Sequence, residues 1–377
     1  MTTILQGQDS ATGQVLYMAL ELSNKKWRLG FSNAVKTREV TIEAGDLGVL
    51  GKQIALAREK LKLAADCRVV SCYEAGRDGF WLHRYLVGEG IENRVVDSAS
   101  IEVNRRQRRT KTDSVDVQSL LRLLLRYIGG DRKAMSVIRV PTIEEEDLRR
   151  LHRERERLVK ERGAHSARIK SLLVAHGVRI EMSADFLNRL ERFESAAGYA
   201  LGEDLKGEIR REFERYALLV KQIDVLESQQ RQRAAQVNDG VLGEVNRLML
   251  LKSVGWQTSW VLVMEFFGWR EFRNRRELGA CAGLTPTPYS SGESEREQGI
   301  SKAGNRRVRR LMVELGWAWL RYQPDSALSQ WYVERYGHGG KRMRRIGIVA
   351  LARKLLIALW RYLKDGVIPD GAVLKAV

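Results

Sequence analysis

Residues 15–43 read VLYMALELSNKKWRLGFSNAVKTREVTIE. Three runs rich in apolar and β-branched residues, 15–22, 26–33 and 37–43, are separated by short polar turns, and the second alternates. That pattern predicts a meander of three strands. Upstream, residues 1–13 read as a loose tail. Downstream, Leu47, Leu50, Ile54, Leu56, Leu61 and Leu63 keep a helical period over 46–63. Residues 68–73 (RVVSCY) form a short apolar strand that ends at Glu74, and Gly76 and Gly79 turn into a helix at about 80–88. Residues 93–97 give one more short strand. The order β-β-β-α-β-α-β predicts a mixed sheet with helices on its faces.

The character changes after residue 104. Arg105, Arg106, Arg108, Arg109 and Lys111 form a basic run, followed by Thr112-Asp113-Ser114-Val115-Asp116 and an amphipathic helix through about Arg126. Gly129, Gly130 and Pro141 mark a boundary. Residues 143–176 and 203–236 are heavily charged with sparse apolar positions, which predicts two long helices, a coiled-coil arm suited to dimerisation. The first alone would reach about 50 Å; a solvated hairpin within one subunit is the other reading. Residues 177–200 carry no clear period. Residues 247–268 read as helix, glycine turn, helix around Ser253-Val254-Gly255, resembling a helix-hairpin-helix whose turn amides hold backbone phosphate. Gln257 stands where the second glycine of that motif is expected. A short helix at 274–282 and two cationic helices, 304–322 and 341–364, complete a mostly helical C-terminal domain. Trp317, Trp319, Trp331 and Trp360 accompany them. They can stack bases, but tryptophans at helical spacing more often fill a core.

The chain of 377 residues carries 65 Lys+Arg against 47 Asp+Glu, a formal charge of +18. Such a balance predicts a polyanionic partner, nucleic acid above all. No apolar run is long enough to span a bilayer and no signal segment opens the chain, so the expected compartment is the bacterial cytoplasm. Cys67, Cys72 and Cys281 show neither metal spacing nor a disulfide pattern.

Two groups of residues carry chemistry. The first is Gly283–Arg310, GLTPTPYSSGESEREQGISKAGNRRVRR. Pro286, Pro288 and Gly292 surround Ser290 and Ser291 and predict a glycine-flanked loop. Ser301 can cap a basic helix bearing Arg306, Arg307, Arg309 and Arg310. A hydroxyl beside guanidiniums suits attack on a phosphodiester. Gly292 leaves the backbone beside Ser291 free to approach a phosphate, which favours Ser291 over Ser290. The second group is acidic. Asp113 and Asp116 lie three apart at a helix start and share one face. Glu21 and Glu74 end strands that can converge on it. Four carboxylates suit Mg²⁺, a hard ion that takes oxygen ligands.

These residues resemble the DEDD insertion-sequence transposases, which are related to Piv-type DNA invertases. The matching pieces are Glu21, Tyr73-Glu74-Ala75 and Lys111-Thr-Asp113-Ser-Val-Asp116, then Ser253-Val254-Gly255, Gly283-Leu-Thr-Pro286, Ser291-Gly292 and Ser301-Lys302-Ala303-Gly304-Asn305. The resemblance implies an RNase H-like (RuvC-like) domain over 1–140, a coiled-coil arm over 141–240 and a serine-bearing transposase domain over 241–377. It implies a recombinase that joins Ser291 covalently to DNA while Glu21, Glu74, Asp113 and Asp116 hold Mg²⁺. A structured bridge RNA would guide it to target and donor duplexes, and dimers would pair into a tetramer. Lys302, Asn305, Arg306, Arg307, Arg309 and Arg310, with Lys341, Arg342, Arg344, Arg345 and the 105–111 run, would contact nucleic acid. One position departs from the family, which has Asp where Glu21 stands; the extra methylene moves the carboxylate by about 1.5 Å. Two other functions share part of this pattern: a RuvC-type nuclease in which water attacks, and a non-catalytic nucleic-acid binder.

Overall fold

The structure, a computed structural model, describes residues 14–76, 79–97, 113–183, 185–236, 239–291 and 294–375, with backbone alone at 113–115, 288–291 and 294–298. The chain divides into two compact units, Met1–Pro141 and Thr142–Val377.

In the first unit, strands β1 (Val15–Glu21), β2 (Lys26–Ser32) and β3 (Thr37–Glu43) form the expected meander. Helix α1 (Leu47–Lys60) follows, capped by the Asp46 side chain. Then come β4 (Arg68–Glu74), α2 (Trp81–Gly88) and β5 (Glu92–Val96). The five strands lie in the order β3-β2-β1-β4-β5. β1 pairs antiparallel with β2 and parallel with β4, and β5 extends the parallel half. Strand alternation sends successive side chains to opposite faces. Leu16, Met18 and Leu20 pack with Leu50, Ile54, Leu82 and Leu86 on one face. Ala19, Val70 and Cys72 lie on the other, beneath Val117, Leu120, Leu121 and Leu124 of α3 (Asp113–Ile128). Gly30 permits that close approach, since a Cβ there would meet Val117 at 3.2 Å. Burial pushes the Cys72 thiol up to about 12, which fits a core thiol.

The second unit begins with α4 (Ile143–Val174), closed at its N-terminus by a Thr142–Glu145 capping box. It packs along α6 (Glu203–Ala235) within the same chain, with Leu158, Leu219, Ile223 and Leu226 in the seam. The two helices are not joined by a plain turn. Residues 177–200 fold into a lobe around α5 (Phe186–Leu190), whose Phe186 and Leu190 pack on Ile169, Leu173 and Ile209. Helices α7 (Gly240–Met249) and α8 (Trp256–Leu262) follow, α8 running into a π turn at Val263–Phe267. The turn between them holds Ser253 at φ 91°. Its Lys252 amide donates to Val373 and its Val254 amide to Leu251, so these two are occupied within the chain. Next come α9 (Arg275–Cys281), the hairpin β6 (Pro286–Ser291) and β7 (Ser294–Ile300), α10 (Arg306–Tyr322), α11 (Ala327–Tyr332) and α12 (Lys341–Asp365). Trp260, Phe266, Met312, Trp319 and Leu355 centre the core. Of the four tryptophans singled out, Trp319 is fully buried while Trp317 is 47% exposed.

Candidate functional site

β1 and β4 run parallel, and the last paired residues are Leu20 and Tyr73. One step further, Glu21 and Glu74 end neighbouring strands about 4.8 Å apart. Both follow Ala19 and Cys72 by two residues, so alternation places them on the face that α3 covers. Asp113 and Asp116 occupy the first turn of α3, and Asp116 is half-buried. The topology thus sets Glu21 and Glu74 side by side on the α3 face, with Asp113 and Asp116 in the first turn of that helix. Their oxygen-only donor set fits a hard divalent cation. Among the described residues no group of three or more His, Cys, Asp and Glu side chains closes around an ion position. The Asp113 side chain lies outside the described ones, as does the whole of Arg105, Arg106, Arg108, Arg109 and Lys111.

Ser291 lies elsewhere than expected. Residues 286–291 form strand β6, not a loop, with Ser290 opposite Glu295 and Ser291 opposite Ser294. Polar residues that repeat no strand pattern still pair here, because the ladder is satisfied by β7 alone. Gly292 lies outside the described residues. The hairpin root is fixed to the start of α10 by backbone bonds: Ser301 donates to Thr285, Lys302 to Gly283 and Asn305 to Cys281. Gly283 (φ 67°) and Gly304 (φ 93°) make the joint possible. A Cβ on Gly283 would strike the Ala303 carbonyl, and one on Gly304 the Cys281 carbonyl. The cap of α10 is Asn305, whose side chain accepts from Arg307 and Val308, and not Ser301.

The Asn305 amide also donates to Glu265 Oε2 at 3.4 Å. Glu265 sits in the π turn, buried, and accepts from Arg153 Nε at 2.6 Å and meets His152 Nε2 at 2.8 Å. Burial alone would raise its carboxyl; the bonds from His152 and Arg153 outweigh that and hold it well below the usual carboxylate range. Arg149, buried beside it, stacks on Trp269 at 4.6 Å. The base of α4 is thereby locked to the helix start that follows the serine hairpin. Spacing could not reveal this cluster, because Glu265 lies 113 residues from His152, 112 from Arg153 and 40 from Asn305.

The expected nucleic-acid residues differ in freedom. Arg307 and Arg310 both pair with Glu156 of α4, and Arg309 donates to the Ala282 carbonyl. Burial raises the Glu156 carboxyl, and the two arginines bring it below its ordinary value. Arg344 donates to Gly339. Lys302, Arg306, Lys341, Arg342 and Arg345 are exposed.

Comparison with known proteins gives two family matches. One, described as the transposase IS116/IS110/IS902 family, covers residues 245–331 and so includes Ser291, Lys302, Asn305 and Arg306. The other, a DEDD transposase family of IS110 type, covers residues 51–177, taking in Glu74, Asp113 and Asp116 and beginning downstream of Glu21. A Sinorhizobium fredii protein bearing the transposase name y4rJ is 40% identical, over 96% of this chain and 94% of its own. The transposase for insertion sequence element IS1111A of Coxiella burnetii is 26% identical over 74% of each chain. The transposase for IS1328 of Yersinia enterocolitica is 24% identical over 68% of this chain and 73% of its own. With the carboxylate order, the glycine joint and a relative matching almost end to end, the chain belongs to the IS110 family of DEDD transposases, enzymes of DNA transposition.

Proposed function

We propose that this transposase cuts and exchanges DNA strands through a phosphoserine link at Ser291, guided to target and donor duplexes by a structured bridge RNA. The observation that carries the reading is the joint of Gly283 and Gly304, which ties the Ser291 hairpin to the cationic start of α10. In the cutting step the Ser291 Oγ–P bond forms as the bond from phosphorus to one deoxyribose oxygen breaks. The hydroxyl gives up its proton and the departing oxygen takes one, so the step needs no oxidant or reductant. Attack by a strand's free hydroxyl on the phosphoserine reverses it and religates. Arg306 and Lys302, exposed beside the joint, neutralise the phosphate. Glu21, Glu74, Asp113 and Asp116 would hold Mg²⁺, which when bound polarises a scissile phosphate. The 105–111 run and Lys341, Arg342, Arg344 and Arg345 would grip the nucleic-acid backbone, and the α4–α6 arm would join subunits into dimers and tetramers.

The test is a denaturing gel of DNA incubated with the protein, RNA and Mg²⁺, followed by mass spectrometry of the adduct. DNA attached at Ser291, and no adduct from Ser291→Ala that still binds RNA and DNA, is the expected result. A DNA-bearing peptide at Ser290, or cleavage to free ends by Ser291→Ala, would overturn it.

A further inference from the structure

The second unit holds a cavity of about 1200 Å³ bounded by α9, the hairpin root, α11 and α12. It exceeds the roughly 300–1,000 Å³ of an ordinary small-molecule pocket, so an extended ligand suits it. One stripe of α12 forms its wall, with Arg345, Arg353 and Arg361 separated by Val349 and Ile357. Those five residues repeat every four positions, each step turning about 40° further, so the stripe winds along the helix. Arg275 and Arg276 enter from α9, Lys302 from the hairpin root, and Lys354 stands over the Trp331 ring at 4.5 Å. Among the described residues none of these cations makes an ion pair, and Asp370 is the one carboxylate that lines the cavity. The floor is apolar, made by Leu284, Leu328 and Ile346.

Charge and floor together narrow the occupant. Guanidiniums with no ion pair among the described residues attract phosphates. An apolar floor with an indole contributes only if base faces are exposed, and an intact duplex stacks them away. Pro286, Ile300 and Lys302 line the cavity and are also the root of the hairpin that ends in Ser291. From Pro286 to Ser291 the strand spans about 17 Å, the reach of a few nucleotides. On the reading above the strand cut at Ser291 is DNA, and this groove opens at the root of the hairpin that would hold it. We propose that the α12 groove binds an unpaired DNA segment flanking the phosphate cut at Ser291. This rests on the phosphoserine reading given above. Arg353 and Arg361, absent from the residues that motif spacing singles out, are its principal phosphate contacts, and Ile346 and Trp331 carry bases.

The experiment measures binding of the full chain to a labelled 12-nucleotide single-stranded DNA, the same sequence as RNA, and the blunt duplex, across a salt series. Arg353→Gln/Arg361→Gln should weaken single-stranded DNA at least tenfold. It should flatten the log–log salt slope by roughly 1.4, two phosphates at roughly 0.7 each, and change duplex affinity less than twofold. Ile346→Ser, at an exposed position, should weaken single-stranded DNA a few-fold with an unchanged salt slope. Equal losses on duplex and single strand would make the groove a general cationic surface and overturn the proposal. Tighter binding of the RNA strand, lost in the same variants, would overturn it in favour of RNA. The adduct assay separates the two readings: an adduct at Ser291 with wild-type binding by the groove variants removes only the groove. Groove-dependent binding with the adduct at another residue removes only the nucleophile.

Discussion

The arm and the α12 groove belong to the same unit and are both rich in arginine, yet they use it oppositely. Along the arm, Arg155 meets Glu227 at 2.7 Å, Arg168 and Arg215 share Glu212, and Arg210 reaches Glu191. In the groove Arg345, Arg353 and Arg361 form no ion pair among the described residues. Net charge therefore says little about where a polyanion docks. Arginines four or three residues from glutamates, or facing them across a helical seam, are neutralised in place; arginines interleaved with Val and Ile are left to find an external partner. Arg307 and Arg310 stand between the two classes, adjacent to the serine hairpin yet paired with Glu156.

Breaking the most buried pairing should have the largest effect. Glu265→Leu strands the Arg153 guanidinium and the Asn305 amide, and is expected to destabilise the second unit by about 3 kcal/mol, read by urea unfolding of the full chain. The pH dependence follows from the depressed carboxyl. A group held below its unfolded value stabilises fully above that value, 4.5, and loses the contribution as pH falls toward its folded value. Unfolding free energy should thus drop on acidification below pH 4.5, and Glu265→Gln should flatten that drop. A flat wild-type profile would mean that Glu265 is not ionised in the fold.

Glu156→Gln sharpens the comparison by moving two arginines from the paired class to the free one. Duplex affinity at low salt should rise about threefold to tenfold, with a salt slope steeper by up to roughly 1.8. If slope and affinity stay fixed, Arg307 and Arg310 do not face nucleic acid. The smallest effect belongs to Arg157, whose nearest carboxylate oxygens lie 3.8 Å away on Glu154 and Glu161. Arg157→Ala should shift stability by no more than about 0.5 kcal/mol in a thermal scan.

The first unit was legible because each of its strands repeats a pattern its own sequence carries. Runs 15–22, 26–33 and 37–43 end within one residue of β1, β2 and β3. The strand order implied a mixed sheet whose Glu21 and Glu74 ends can converge; the parallel pairing of β1 with β4 that sets them side by side is a structural finding. The lobe at 177–200 escaped because Ile180, Met182, Phe186 and Phe193 share no period and order only against Ile169 and Leu173. β6 escaped because PTPYSS reads as turn chemistry, and its partner is the equally polar SEREQGI. The groove could have been found from the four-residue repeat of Arg345, Val349, Arg353, Ile357 and Arg361. A fully amphipathic helix would have shown one polar face; here cations and aliphatics alternate along one winding stripe.

The glycine joint has a consequence for redesign. Gly283 and Gly304 leave no space for a side chain, and the bonds between them close the root of the hairpin without reference to what lies beyond Pro286 and Ile300. The root is thus an intolerant socket and the hairpin a graftable cartridge. Hairpins of other lengths or sequences grafted into this chain at these two seams should keep the register that the socket supplies.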